Sequence, residues 1–189
     1  FDIPWRREPG AGMLLTNLIH DLDLLRHLCG EVQQVQAITS NHVRGYANED
    51  CAAVLLQFDS GALGSLTGSD AVAAPWSWEL DSGENPVYPH QADQPCYLLA
   101  GTRGALSIPQ LKRWHYSEAG AGWHQPLQQV QEHFDAGEAL YRQLQHFVQV
   151  VRGLVQPLVS AADAGRTLAL IEAIRLAAES GQACVPETL

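Results

Sequence analysis

The stretch Gly10 to Gly30, GAGMLLTNLIHDLDLLRHLCG, constrains the fold more than any other part of the chain. Two glycines flank Ala11, a helical pattern runs unbroken after them, and Cys29-Gly30 ends it, because glycine accepts the left-handed conformation that closes a helix. At ~100° per residue, Leu14, Leu15, Leu18, Leu22, Leu25 and Cys29 gather on one side, which is expected to face the core. Thr16, His20, Asp23 and His27 gather on the other. Two imidazoles, a carboxylate and a hydroxyl in one stripe suit proton-transfer chemistry. A histidine on the polar side of an amphipathic helix is ordinarily just solvated, and His27 is read that way.

After Gly30 the pattern changes from helix to sheet. Glu31 to Val43 reads as a long strand rich in β-branched residues, and Ala52 to Phe58 with Ala62 to Ser69 reads as a hairpin turning at Asp59-Ser60-Gly61. Gly64 and Gly68 on the return strand leave room for a ligand or another layer to approach. A second hairpin is predicted from Cys96–Ala100 and Ala105–Ile108, with Pro109 ending the pairing. Short strands follow at Lys112–Tyr116 and at Trp123-His124. Glu138 to Arg152 then places Leu140, Leu144, Phe147, Val148 and Val151 on one helical stripe that stops at Gly153. Ser160 and Asp163 signal the start of a last helix, with Leu168, Ile171, Ile174 and Leu176 as its apolar face. The expected class is α+β: one open, largely antiparallel sheet with helices packed on one face. Apolar residues on both sides of Ala52–Phe58 predict that the other face is buried too.

Composition narrows the partners. A net charge of −10 with scattered basic residues argues against nucleic acid and favours a small neutral or hydroxylated ligand. No apolar run is long enough for a membrane span. Cys29, Cys51, Cys96 and Cys184 lie far apart without Cys-x-x-Cys spacing, which reads as reduced thiols in a cytoplasmic protein, and no metal site is predicted. The irregular region Ala71–Pro95 concentrates Trp76, Trp78, Glu79, Asp81, Glu84, Asn85, Tyr88 and His90. Flat aromatic faces mixed with hydrogen-bonding groups suit a sugar-like ligand, and equally suit a loop pinned to a sheet.

Gly10, Gly12, His20, Asp23 and the Leu25–Gly30 ending resemble the start of the substrate domain in the glucose-fructose oxidoreductase and inositol dehydrogenase family. There a glycine-rich turn enters a helix bearing the catalytic histidine. Trp78-Glu79, Gly83-Glu84-Asn85-Pro86, Tyr88, Tyr97 and Ala100–Leu106 resemble the middle of that domain. Gln143-Leu144, His146-Phe147, Arg152-Gly153 and Ser160–Gly181 resemble its end. The resemblance implies that residues 1–189 form a C-terminal substrate-binding and dimerisation domain. The N-terminal dinucleotide-binding domain, with its G-x-G-x-x-G turn and the family's catalytic lysine, is absent from this chain, which begins at Phe1 and is expected to be the second domain of a longer enzyme.

That family implies an NAD(P)-dependent oxidoreductase acting on a hydroxyl or carbonyl of a sugar, cyclitol or related molecule. NAD or NADP would be bound mainly by the missing domain, no residue here is assigned to it, and the open sheet face would join subunits into a homo-oligomer. His20 is the expected proton donor and acceptor, since an imidazole with a reference pKa of ~6.5 suits general acid–base work. Asn17, Thr16 and Asp23 on its helix, Trp5 and Arg6 before it, and Trp78, Tyr88 and His146 are the candidate substrate contacts. Arg6 near a terminus is as readily a solvent group, Asn17 as readily a solvent-facing amide, Asp23 as readily a residue that fixes the helix, and His146 as readily structural. Many polyol-oxidising members carry aspartate where this chain has Thr16, and a hydroxyl cannot supply the charge that raises a neighbouring imidazole's basicity. That departure keeps open a non-catalytic ligand-binding or oligomerisation domain. A metal-dependent phosphohydrolase, prompted by His20-Asp21 with Asp23 and His27, would need further ligands from other helices.

Overall fold

In the computed structural model, residues 4–118, 120–133 and 137–187 are described. They divide into two compact units, Phe1–Val72 with Leu158–Leu189, and Ala73–Pro157.

The first unit carries the helix that the sequence marks out, with a difference in its first turn. A π-helical turn, Leu14–Leu18, leads directly into helix α1, Ile19–Cys29, and Gly30 at φ 99° ends it. A π turn closes its hydrogen bonds one residue later than an α turn, so each residue advances by less than ~100° and the upstream phase shifts. Leu15, expected in the core, is therefore 43% exposed, whereas Met13 and Leu14 are buried. Leu18 and Leu22 are buried as their spacing predicts.

Strands β1 (Val32–Ser40), β2 (Cys51–Phe58) and β3 (Leu63–Ser69) form an antiparallel sheet in that order. β2 and β3 turn through Asp59-Ser60-Gly61, where Gly61 at φ 84° makes the reversal that a Cβ would strain. One face of the sheet supplies Val35, Val54, Leu56 and Phe58 to a core completed by Met13, Leu14, Leu18 and Leu22 and by the last helix. A Cβ on Gly68 would stand 2.8 Å from Leu18 Cδ2, so the small residue of β3 admits the helix layer.

In the second unit Trp78–Asp81 forms the single helical turn α2, capped by Ser77, whose side chain accepts from Leu80 N. Strands β4 (Tyr97–Gly101), β5 (Gly104–Ile108), β6 (Lys112–His115) and β7 (Gln128–Gln131) make a second antiparallel sheet in chain order. The class is α+β with open antiparallel sheets as expected, but the strands form two sheets rather than one. The final strand is also displaced from Trp123-His124 to Gln128–Gln131. Trp123 lies in a turn and is 98% exposed, while the glutamine-rich segment gains its strand character by pairing with β6, Arg113 opposite Val130 and Trp114 opposite Gln129. Helix α3, Ala139–Val151, forms where its periodicity predicts, with Leu140, Leu144, Phe147, Val148 and Val151 exposed.

Helix α4, Ala161–Ser180, belongs to the first unit. Ser160 caps it by accepting from Asp163 N at 3.1 Å, and Gly181 ends it in the left-handed conformation at φ 68°. Its buried side is Thr167, Leu170, Ile171, Ala173, Ile174 and Ala177, whereas Leu168 and Leu176 of the expected apolar face are exposed. Past α4 the chain returns to the sheet edge, where Val35 and Cys184 exchange backbone hydrogen bonds of 2.8 and 2.9 Å.

Candidate active site

Helix α1 is held at both ends. Toward its C-terminus Arg26 is only 6% exposed. Its guanidinium donates to Glu31 at 2.8 and 2.9 Å, to Asp163 Oδ1 at 3.1 Å and to Thr167 Oγ1 at 2.6 Å. The Thr167 hydroxyl in turn donates to Asp23 Oδ1 at 2.6 Å. Arg26 hydrogen bonds hold the Glu31 and Asp163 carboxyls below their ordinary values, and chiefly Glu31 raises the Arg26 guanidinium above its own. Arg26 repeats the four-residue spacing of Leu18 and Leu22, and a lone arginine on an apolar stripe was the available sign that this cation would be buried with partners.

At the other end, the loop between β1 and β2 clamps the approach to the helix. Asn48 is buried, its amide donates to the carbonyls of Arg6 at 2.8 Å and Glu8 at 2.7 Å, and its oxygen accepts from Gly10 N at 3.1 Å. Glu49 Oε1 accepts from Leu14 N at 2.9 Å. Neither residue carries a local sequence signal, since their partners lie 35 to 42 positions away.

His20 stands on the exposed side of α1, and Asn17 is exposed near it on the same helix. Thr16 Oγ1 lies 3.0 Å from Gly12 O and 2.9 Å from Asn17 Oδ1, so its single proton serves one acceptor at a time. Asp23 is half-buried and engaged by Thr167 and Arg26; His27 is exposed. Before the helix, the Arg6 guanidinium lies 5.2 Å from the centroid of the Trp5 ring and its Nη1 lies 3.6 Å from Asp70 Oδ2, which also accepts from Arg44 at 2.6 Å. Trp5, Arg6, Thr16, Asn17, His20 and Asp23 thus share one unit.

Trp78, Tyr88 and His146 belong to the other. Trp78 Nε1 donates to Glu84 Oε2 at 3.0 Å and its ring centroid lies 6.2 Å from that of Tyr97. Tyr88 is exposed in a turn closed by its N–H on Asn85 O at 3.1 Å, and His146 is half-buried on α3. In the same unit Asp81 is 2% exposed with neither carboxylate oxygen hydrogen-bonded, and burial pushes its carboxyl above the ordinary value. Among the described residues no group of three or more His, Cys, Asp or Glu side chains could hold a metal ion, so the phosphohydrolase alternative finds no donor set there. No helix among them is long and apolar enough to cross a membrane.

A family profile described as "Oxidoreductase family, C-terminal alpha/beta domain" matches residues 2–186. The chain belongs to this oxidoreductase family. Among its curated relatives in the family, D-apiose dehydrogenase of Paraburkholderia graminis is 30% identical over 176 residues, covering 87% of this chain and 42% of the relative. Scyllo-inositol 2-dehydrogenase (NAD(+)) of Bacillus subtilis is 26% identical over 161 residues, covering 82% and 42%. The chain therefore spans less than half the length of these relatives. Among solved structures, the WlbA dehydrogenase of Bordetella pertussis in complex with NADH and UDP-GlcNAcA superposes with a TM-score of 0.67 at 22% identity, over 99% of this chain and 49% of that one. This likeness shows the shared fold of the oxidoreductase C-terminal domain.

Proposed function

We propose that this chain is the substrate-binding and catalytic C-terminal domain of an NAD- or NADP-dependent oxidoreductase, whose substrate is a sugar, cyclitol or related small molecule. His20 is its proton donor and acceptor. The observation that carries this reading is His20 standing exposed on a helix anchored at both ends, in a chain of this oxidoreductase family. The nicotinamide cofactor, bound mainly by a dinucleotide-binding domain outside this chain, supplies the hydride acceptor or donor. In the oxidative direction a ring nitrogen of His20 takes the hydroxyl proton as the carbonyl forms, and in reduction it returns that proton.

In the unit that carries His20, Asn17, Thr16, Arg6 and Trp5 are the candidates for contact with the substrate's other hydroxyls. Asp23, engaged by Thr167 and Arg26, serves to hold the helix. The outward face of β1–β3 supports a homo-oligomer. Its cross-strand rows run Gln34, Gln57, Leu63; Gln36, Leu55, Ser65; Ile38, Ala53, Thr67; and Ser40, Cys51, Ser69, with no charged side chain among them. Ile38, Leu55 and Leu63 are exposed there, and an uncharged face with exposed aliphatics fits burial against a second copy. Cys29, Cys51, Cys96 and Cys184 form no disulfide among the described residues, which fits a reducing, cytoplasmic compartment.

The test uses the full-length protein and its His20→Ala variant with a panel of sugars, cyclitols and sugar acids, following nicotinamide absorbance. Loss of turnover in the variant supports the reading, and unchanged turnover removes His20 from the chemistry. Thr16 favours a second reading, a non-catalytic ligand-binding domain, which predicts ligand binding without turnover in the unmodified protein.

A further inference from the structure

The first N–H groups of any helix lack partners within it, and a Ser, Thr, Asp or Asn side chain just before the helix ordinarily accepts from one of them. Met13 occupies that place here and makes no side-chain cap hydrogen bond. The acceptor comes instead from far along the chain, as Glu49 Oε1 receives the Leu14 N–H at 2.9 Å. A carboxylate at this end also complements the positive pole of the helix dipole.

Three further observations show that this contact is built into the fold. Gly12 is buried, and a Cβ placed on it would overlap the Glu49 carboxylate, so the glycine leaves the space that Glu49 fills. Asn48 ties the loop to the carbonyls of Arg6 and Glu8 and to Gly10 N. Asp50, on the other side of Glu49, is 2% exposed, accepts from Arg44 N at 2.8 Å and donates its own N–H to Ser40 O at 2.8 Å. Glu49 is thus held by clamped neighbours while it holds the turn that carries Thr16 and Asn17 and leads into His20.

We propose that Glu49 is the positioning residue of the His20 helix, acting through the Leu14 N–H, and that Gly12 is the space reserved for it. The proposal rests on the reading of His20 as proton donor and acceptor. Glutamine at position 49 keeps an oxygen that can accept from Leu14 N–H, whereas alanine does not. Alanine at position 12 displaces the carboxylate, yet costs nothing further once position 49 is itself alanine.

The experiment compares Glu49→Gln, Glu49→Ala, Gly12→Ala and the double variant Gly12→Ala/Glu49→Ala in the full-length protein. It reads amide hydrogen exchange at Leu14, together with kcat and KM for scyllo-inositol or D-apiose oxidation. Glu49→Ala is expected to speed Leu14 exchange and to lower kcat, each by about tenfold or more, with KM changed by less than about threefold. Glu49→Gln should stay within about threefold of the unmodified protein in both. Gly12→Ala should copy Glu49→Ala, and the double variant should be no worse than either single one. Multiplying effects of Gly12→Ala and Glu49→Ala would overturn the proposal, as would a Glu49→Gln loss equal to that of alanine, or unchanged exchange in Glu49→Ala. His20→Ala separates the two readings: if it keeps full turnover while the Leu14 exchange pattern holds, the acid–base role fails and the anchor stands. If it abolishes turnover while the two substitutions multiply, the anchor alone fails.

Discussion

The Thr167 hydroxyl donates to the Asp23 carboxylate at 2.6 Å, joining the last helix to the helix that carries His20. The same oxygen accepts from Arg26 at 2.6 Å, so one buried hydroxyl uses its donor and an acceptor position across the α1–α4 contact. Thr167→Val keeps the shape and removes both bonds. It is expected to destabilise the fold by about 1–3 kcal/mol, because Arg26 and Asp23 each lose a partner in a half-closed setting. Thr167→Ser should lose far less, and urea unfolding of the two variants checks the difference.

Arg26 makes the same contact sensitive to acid. The Glu31 and Asp163 carboxyls are held below their ordinary values, chiefly by hydrogen bonds from Arg26. The stability they contribute is complete above the ordinary carboxylate range, and it is lost as pH falls through their lowered folded values. Arg26→Met should cost about 2 kcal/mol at neutral pH, less than for a fully buried pair because both carboxylates are partly open to water. Melting curves between pH 7 and pH 3 should show a shallower acid decline in the variant than in the unmodified protein.

Asp81 runs the other way. Burial pushes its carboxyl up, an effect that nearby His90 partly opposes, and neither oxygen has a hydrogen-bond partner. Its folded form holds the proton more tightly than the unfolded chain, so stability falls as pH rises from the ordinary ~3.9 through the raised folded value. Asp81→Asn should raise the melting temperature at pH 7 by a few degrees, and the gain should shrink toward pH 3.

Thr16→Asp restores a carboxylate four residues before His20. If His20 is the acid–base group proposed above, a nearby negative charge favours its protonated form, and the acidic limb of the kcat/KM profile of the full-length protein should move up by about one pH unit. A limb that stays in place would show that the two side chains do not interact in the working enzyme.

Leu55→Glu puts a charge in the second of the four rows on the outward face of β1–β3. If that face joins two copies, sedimentation should show the complex giving way to single chains. The loss in affinity should be at least about tenfold, since an unpaired carboxylate would be buried.

Local and periodic features were legible in the sequence. The Ser160 cap and Gly181 stop of α4, the Gly61 turn and the Gly30 end of α1 each depend on one residue type whose conformational preference is strong. The features that escaped depend on something elsewhere in the chain or on a change of period. Leu15 left the core because the π turn alters the phase that a constant ~100° step assumes. Gln128–Gln131 is a strand because β6 pairs with it, which its own composition does not announce. Leu168 and Leu176 lie outside the buried face of α4, which keeps the expected Ile171 and Ile174 and is completed by Leu170, by Thr167 and by small alanines that a hydrophobicity count overlooks. The helix that carries His20 could be read directly. Glu49, Asn48 and Thr167 could not, because each acts on partners distant in sequence.

The π turn at Leu14–Leu18 also bears on how the chain could change in length. It holds one residue more than the α-helix it enters, so a single deletion within it would let the helix wind regularly while Leu18 and Leu22 kept their places in the core. The cost would fall upstream, where Gly12 and Leu14 would be carried around the axis and away from Glu49. A shorter and more regular helix would then be a less firmly moored one, and its extra residue is better regarded as slack taken up to reach the mooring than as a flaw in the winding.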